Sequence, residues 1–221
     1  AETMVNWGIK SVFGMVGHSN LGLADAIRRQ VIQGHLTYVG VRHEGAAALA
    51  ASAYGKLTGK PAACLTIAGP GATNLLTGLW DAKVDRAPVL ALTGQVQTQV
   101  FGPGAFQDID LGAAFQSVAR FSLIVLSTSR HAELMNLACK NALVERDVAH
   151  LIFPDDMQTL PSDAPAGEPV GRLARPGIRP EPSDLDEAIA RIGAARRPVI
   201  VMGHGAVDAH EQVLALSLIH I

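Results

Sequence analysis

From residue 9 onward, apolar and polar positions follow a repeated order: a short β-branched run, a glycine-containing turn, then apolar residues at helical spacing. That order is the signature of parallel strand–helix units. It predicts strands near 11–14, 37–42, 62–67, 88–93 and 148–153, separated by helices near 20–33, 44–58, 72–83 and 130–145. The runs Ala63-Cys64-Leu65-Thr66-Ile67 and Pro88-Val89-Leu90-Ala91-Leu92 show no polar alternation, as expected of strands buried on both faces. Asn20 is placed to cap the first long helix and Gly59 to stop the second. Residues 95–115, richer in Gln and Gly, read as a loop over a site. The expected fold class is α/β, a parallel sheet covered by helices on both faces.

The periodicity breaks between residues 161 and 182. Pro161, Pro165, Pro169, Pro176, Pro180 and Pro182 disfavour both sheet and long helix there. The expected organisation is a domain over 1–160, a Pro-rich linker over 161–183 and an incomplete second α/β domain over 184–221. The second domain would open with Ser183 or Asp184 capping a helix to about Gly193, then a strand over 198–202 and the turn Gly203-His204-Gly205. Residues 3–8 read as the last turn of a helix that starts upstream, and Ser217-Leu218-Ile219-His220-Ile221 fits poorly as a continuation of the preceding helix. Truncation at both ends is therefore expected.

Bulk properties narrow the classes of partner. The net charge is -2 with acids and bases interspersed, so there is no basic face and nucleic acid is not an expected partner. No run reaches the roughly 18 apolar residues of a membrane span, and the first residues lack the pattern of a secretion signal. A cytoplasmic protein without membrane association is the default. Cys64 and Cys139 lie in apolar segments without metal-like spacing and read as buried thiols.

Three turns should gather at the carboxyl edge of the sheet, where open α/β folds bind ligands: residues 14–20, 42–45 and 69–74. None is a P-loop or a dinucleotide fingerprint. Glu44 opens a helix, where a carboxylate is favoured by the helix dipole alone. The small residues Gly45-Ala46-Ala47-Ala48 behind it would also let a large flat ligand approach. His43 reads as a surface or hydrogen-bonding residue, since no second metal ligand stands at helical spacing. Gly69-Pro70-Gly71 is compatible with a plain tight turn, and Thr73 and Asn74 with helix caps.

Taken together, the ordered motifs resemble the N-terminal domain of the pyruvate oxidase and acetolactate synthase family of thiamine-diphosphate enzymes. They are Val12-Phe13-Gly14 with Gly17, Arg42-His43-Glu44-Gly45-Ala46-Ala47, Ala53-Tyr54-Gly55, Gly69-Pro70-Gly71-Ala72-Thr73-Asn74, Asp85-Arg86-Ala87-Pro88-Val89-Leu90 and Phe106-Gln107. Residues 184–215 resemble the start of the family's central domain, which binds FAD in some members.

The resemblance implies a thiamine-diphosphate-binding fold and a part of an enzyme that decarboxylates a 2-oxo acid such as pyruvate, followed by oxidation or carboligation. It implies that Glu44 hydrogen-bonds N1′ of the aminopyrimidine and promotes loss of the thiazolium C2 proton. By the same resemblance, Gly17, Gly69, Pro70, Gly71 and Asn74 contact the cofactor. Phe106 and Gln107 match a pair that reaches the active site of the partner subunit, Gln107 with a catalytic role and Phe106 in the substrate pocket. Val16 stands where many relatives have proline and His18 where many have an acid, which makes His18 a candidate acid or base as well as an ordinary loop residue. Mg2+ and the diphosphate are expected in a further domain outside this chain, so no metal ligand is expected here. A second copy of the subunit is expected to complete the site, and the fragment alone to be inactive. Two alternatives stay open: a lyase or 1,2-diketone hydrolase of the same fold, and a non-catalytic α/β dimerisation module.

Overall fold

The computed structural model describes residues 1–174 and 179–218. Pro176 of the Pro-rich stretch and residues 219–221 of the closing segment lie outside them. The chain divides into two units, 1–174 and 175–221.

The first unit runs α1 (Glu2–Asn6), β1 (Ser11–Gly14), α2 (Leu21–Ile32), β2 (Thr37–Gly40), α3 (Glu44–Thr58), β3 (Ala62–Thr66), α4 (Pro70–Thr73), α5 (Leu76–Val84), β4 (Val89–Gln95), α6 (Leu111–Phe115), β5 (Phe121–Ile124), α7 (His131–Glu145) and β6 (Val148–Pro154). The six strands form one sheet in the order β2-β1-β3-β4-β6-β5, and every neighbouring pair is parallel. Period-two alternation sorts the central strands between two cores. Ala62, Cys64, Val89, Ala91, Val148 and Ile152 share one core with residues of α3, α5 and α6. Their neighbours Ala63, Leu65, Leu90, Leu92, Ala149 and Leu151 share the other with residues of α1, α2 and α7. Both faces are therefore covered, and the absence of polar alternation has its cause. The chain steps outward from β1 to β2 and then returns to β3 on the other side of β1, so β1 and β3 flank the topological switch point.

Most predicted elements form within a residue or two of their expected bounds. Residues 95–115 are a correction. They contain a 3-10 turn at Thr98–Val100 and also α6, whose Leu111 and Phe115 are fully buried core residues. Strand β5 was not anticipated either: it is a four-residue edge strand, too short and too little buried to leave a periodic signature. The predicted helix over 72–83 is two helices, α4 and α5, separated at Asn74 and Leu75. Asn20 precedes α2 without a capping hydrogen bond. Its side chain closes the preceding turn instead, accepting from the Gly17 N–H at 2.9 Å and donating to the Met15 carbonyl at 3.0 Å. Gly59 does end α3, in the left-handed region at φ 67°.

Part of the Pro-rich segment is clipped to the first unit. The Gly167 N–H donates to Thr3 Oγ1 at 3.0 Å and its carbonyl accepts from Asn6 Nδ2 at 3.0 Å. In the second unit α8 spans Pro182–Ala194 and α9 spans His210–Leu218. The residue preceding α8 is Glu181, with Pro182 in the first turn, so neither Ser183 nor Asp184 is the cap. Residues 198–202 form no strand, because no neighbouring strand satisfies their backbone groups. The expected turn at Gly203-His204-Gly205 enters a 3-10 helix, His204–Ala209. Ser217 and Leu218 continue α9 rather than breaking from it. Leu185, Ile189 and Ile192 of α8 are exposed together, so this unit has little core of its own.

Both cysteines are buried, and burial pushes each thiol up to about 12, which keeps them protonated and inert. His150 is the more consequential buried group. It is 0% exposed in β6, stacked on Phe115 with ring centroids 3.8 Å apart. Its Nε2 lies 2.9 Å from Thr93 Oγ1 and its Nδ1 2.9 Å from Ser122 Oγ, so it links β4, β6 and β5. Desolvation lowers its pKa from 6.5 to about 3. The unfolded chain therefore takes up a proton that the folded chain refuses. Stability should fall by roughly 1.4 kcal/mol per pH unit from this group alone as the pH drops from about 6.5 toward 3. Denaturant unfolding of the chain and of a His150→Gln variant across that range checks this: the variant should be less stable at neutral pH but show a shallower acid slope. Equal slopes would contradict it.

Candidate functional site

The carboxyl edge at the switch point is built from three turns that are stitched sideways. The Val41 N–H donates to the Gly14 carbonyl at 2.9 Å, the Met15 N–H to the Leu65 carbonyl at 3.0 Å, and the Ala68 N–H to Ser19 Oγ at 2.8 Å. The turns after β1, β2 and β3 are thus tied in sheet order. Gly94 of β4 packs directly beneath the Ser19 carbonyl, where no side chain would fit.

Ile67 fills the space between two of these turns. A methyl group at Gly17 would stand 2.6 Å from Ile67 Cγ2, and one at Gly71 would stand 2.5 Å from Ile67 Cγ1. Both glycines are therefore required by close approach. Gly69, at φ 63°, lies against the 105–108 loop, since a methyl group there would meet Gln107 Cβ at 2.7 Å. Gln107 itself is left-handed at φ 66°. The 69–71 turn and the loop carrying Phe106 and Gln107 are in contact.

Glu44 stands at the first position of α3, with His43 as the capping residue. His43 Nδ1 accepts from the Gly45 N–H at 3.1 Å, which accounts for this exposed histidine as a cap. Glu44 is only 8% exposed, unusual for a carboxylate. Two features offset its burial: the helix N-terminus, and a hydrogen bond from Asn74 Nδ2 to Oε2 at 2.9 Å. The other oxygen, Oε1, faces Gly71, 3.2 Å from where a methyl group would stand. Behind Glu44, Ala47, Ala48 and Ala51 are fully buried, and Gly78 of α5 packs against Ala48. The run of small residues thus lets α3 seat closely while its first side chain remains at the edge.

The structure brings Glu44, Gly71 and Asn74 together and packs Gly17 and Gly71 around Ile67. Gly69 joins Gln107 to the same group. Pro70 is exposed in the first turn of α4. His18 is exposed in a 3-10 turn, His18–Asn20, on the same edge. Phe106 is 89% exposed and Gln107 half-buried. Asn74 does not cap the next helix: the residue preceding α5 is Leu75, whereas Asn74 follows α4 as its C-terminal cap residue through its backbone N–H, and its side chain is spent on Glu44. Sequence reasoning missed Ile67 and Ser19. Ile67 reads as one more apolar strand residue and Ser19 as a turn serine, and only the packing of the glycines reveals what they do.

Chemically, this is an open apolar shelf with one carboxylate oxygen at its back. It is apolar because the Ile67 side chain occupies the space that side chains at Gly17 and Gly71 would take. A cavity of about 760 Å³ bounded by α1, α2, α7 and the 158–166 segment lies elsewhere and is lined by none of these residues. Among the described residues, no group of three or more His, Cys, Asp or Glu could hold a metal, and no helix is long and apolar enough to cross a membrane.

Comparison with known proteins agrees with this geometry. The family model described as thiamine pyrophosphate enzyme, N-terminal TPP binding domain, matches residues 1–116. A thiamine pyrophosphate-containing protein of Bacillus subtilis, YdaP, is 37% identical over 218 residues, covering 98% of this chain and 37% of that protein. An acetolactate synthase of Arthrospira platensis is 37% identical over 98% of this chain and 38% of its own length. A pyruvate oxidase of Lactiplantibacillus plantarum is 32% identical over 96% of this chain and 35% of its own length. The chain spans less than two fifths of the length of these relatives. With over half of its residues matched by the family model and its carboxyl edge built around Glu44 and the 69–74 turn, the chain belongs to the thiamine pyrophosphate enzymes and carries their N-terminal cofactor-binding domain.

Proposed function

We propose that this chain is the cofactor-activating part of an enzyme that decarboxylates a small 2-oxo acid such as pyruvate and then oxidises or carboligates the product. The observation that carries the reading is the buried Glu44 carboxylate with one oxygen held by Asn74 and the other lying against Gly71 without a protein hydrogen bond among the described residues. When bound, thiamine diphosphate supplies an acidic C–H and an electron sink for loss of carbon dioxide. The residues that would hold its pyrimidine are Glu44 at the ring nitrogen, Ile67 against the ring, and Gly17, Gly69, Pro70 and Gly71 as backbone that lets the ring approach. Glu44 holds or moves a proton at Oε1.

The same reading assigns Mg2+ and the diphosphate to protein outside this chain, leaves FAD to the domain begun by α8, and places the enzyme in the cytoplasm. The exposed loop carrying Phe106 and Gln107 would serve substrate, Gln107 as a hydrogen-bonding catalytic side chain and Phe106 as an apolar wall. His18, exposed on the same edge, would exchange protons with substrate. The names of the two most informative relatives, acetolactate synthase and pyruvate oxidase, support carboligation and oxidation respectively.

A second copy of the subunit is the proposed partner. Leu49 and Leu57 of α3 are exposed on the helix face shared with Ala46 and Ala53. Trp80, 52% exposed, and Val84 continue the apolar surface on α5, which packs against α3. Such a patch is costly to leave in water. Sedimentation velocity of the chain should show concentration-dependent self-association that a Trp80→Glu variant weakens at least tenfold. A monomer unaffected by concentration or substitution would contradict the assignment.

The test of the central role is Glu44→Gln in the full-length protein that carries this chain. The amide keeps the shape but cannot exchange a proton as a carboxylate does. Hydrogen–deuterium exchange at C2 of bound thiamine diphosphate and turnover should both fall by about 10² or more, while cofactor affinity falls less. Exchange and turnover within a few-fold of the parent would leave Glu44 as a helix-start carboxylate only.

A further inference from the structure

We propose that Asn74 is a positioning residue: its side-chain amide fixes the rotation of the Glu44 carboxylate so that Oε1, and not Oε2, is presented beside Gly71. The inference rests on the reading of Glu44 as the proton-exchanging group and assigns Asn74 a role through that group.

The terminal torsion of a glutamate side chain is broad, so an unpartnered carboxylate at a helix start samples many orientations. Here one oxygen is taken. Asn74 Nδ2 donates to Glu44 Oε2 at 2.9 Å. The remaining oxygen, Oε1, accepts no hydrogen bond from a described residue and lies against Gly71, 3.2 Å from the position of an absent methyl group.

Asn74 is itself held. Its N–H donates to the Pro70 carbonyl at 3.0 Å, which ties it to the end of α4. Its carbonyl packs against the first turn of α3, 3.2 Å from where a methyl group on Gly45 would stand. The backbones on both sides of the hydrogen bond are therefore in close contact. A short side chain with one broad terminal torsion can span them with little entropy lost.

Asn74 ends α4 through its backbone N–H, but its side chain caps neither helix. Leu75, not Asn74, precedes α5, and no side-chain cap is made there. The chemistry of the partner also matters. A lysine or arginine at this place would pin Glu44 as an anion, and an apolar residue would leave a buried oxygen unpaired. A neutral donor does neither, which suits a carboxylate that must gain and lose a proton in one orientation.

The test compares Asn74→Ala, Asn74→Asp and Glu44→Gln in the full-length protein. The expected result for Asn74→Ala is a fall of about tenfold in C2 exchange and in kcat, with the Kd for thiamine diphosphate within about threefold of the parent. Asn74→Asp has nearly the shape of asparagine but turns an acceptor toward Glu44, so it should be worse than alanine. A packing role predicts the reverse order. Crystal structures of the ligand-free variants supply a readout independent of activity: the Glu44 carboxylate should leave its parent orientation in both Asn74 variants. If Glu44→Gln is slow while both Asn74 variants match the parent in exchange and orientation, the positioning role is overturned and the reading of Glu44 stands. If Glu44→Gln itself is nearly normal, that reading fails, and the carboxylate orientation in the variants alone decides whether Asn74 positions it.

Discussion

A carboxylate removed from water must be compensated, and the geometry around Glu44 shows how that is done without neutralising it. The helix N-terminus of α3 supplies favourable backbone dipoles, and Asn74 supplies one neutral hydrogen bond to Oε2. Neither removes the second oxygen from use. The small residues behind Glu44 follow from the same constraint, because Ala47, Ala48 and Ala51 let α3 seat against the sheet and α5 closely enough to shield its first turn. Gly78 against Ala48 completes that close approach.

The sheet places this carboxylate. Its switch point between β1 and β3 creates the crevice, and three lateral hydrogen bonds fix the turns around it. Ile67 then sets the spacing between Gly17 and Gly71, so that the shelf beside Glu44 has one width. Below the edge, His150 joins three strands through Thr93 and Ser122 and stacks on Phe115 of α6. The site is thus carried by hydrogen-bonded backbone turns and by side chains with few degrees of freedom.

Much of this was legible in the sequence, for identifiable reasons. Buried parallel strands and the helices between them announce themselves through composition and period, so β1, β3, β4, β6, α3 and α7 were found close to their bounds. Glu44 stood out because a carboxylate followed by four small residues opens a helix. What escaped notice depends on three-dimensional packing. Strand β5 is a short edge strand, and α6 is five residues long with only Leu111 and Phe115 to mark its buried face. Asn20 and Asn74 sit where asparagines commonly cap helices, yet Asn20 spends its amide on closing the preceding turn and Asn74 on a tertiary contact with Glu44. Local preference names the residue type, and the tertiary neighbours choose its partner. In the second unit the segment 198–202 has strand composition but no neighbour to pair with.

The account turns on which atom of Glu44 is available to a bound ring. The most direct measurement is a crystal structure of the full-length protein with thiamine diphosphate bound. The account predicts a pyrimidine nitrogen within about 3 Å of Glu44 Oε1, with Asn74 still on Oε2 and the ring lying over Ile67 between Gly17 and Gly71. A ring seated on another part of the edge, or a Glu44 beyond hydrogen-bond reach of it, would contradict the account.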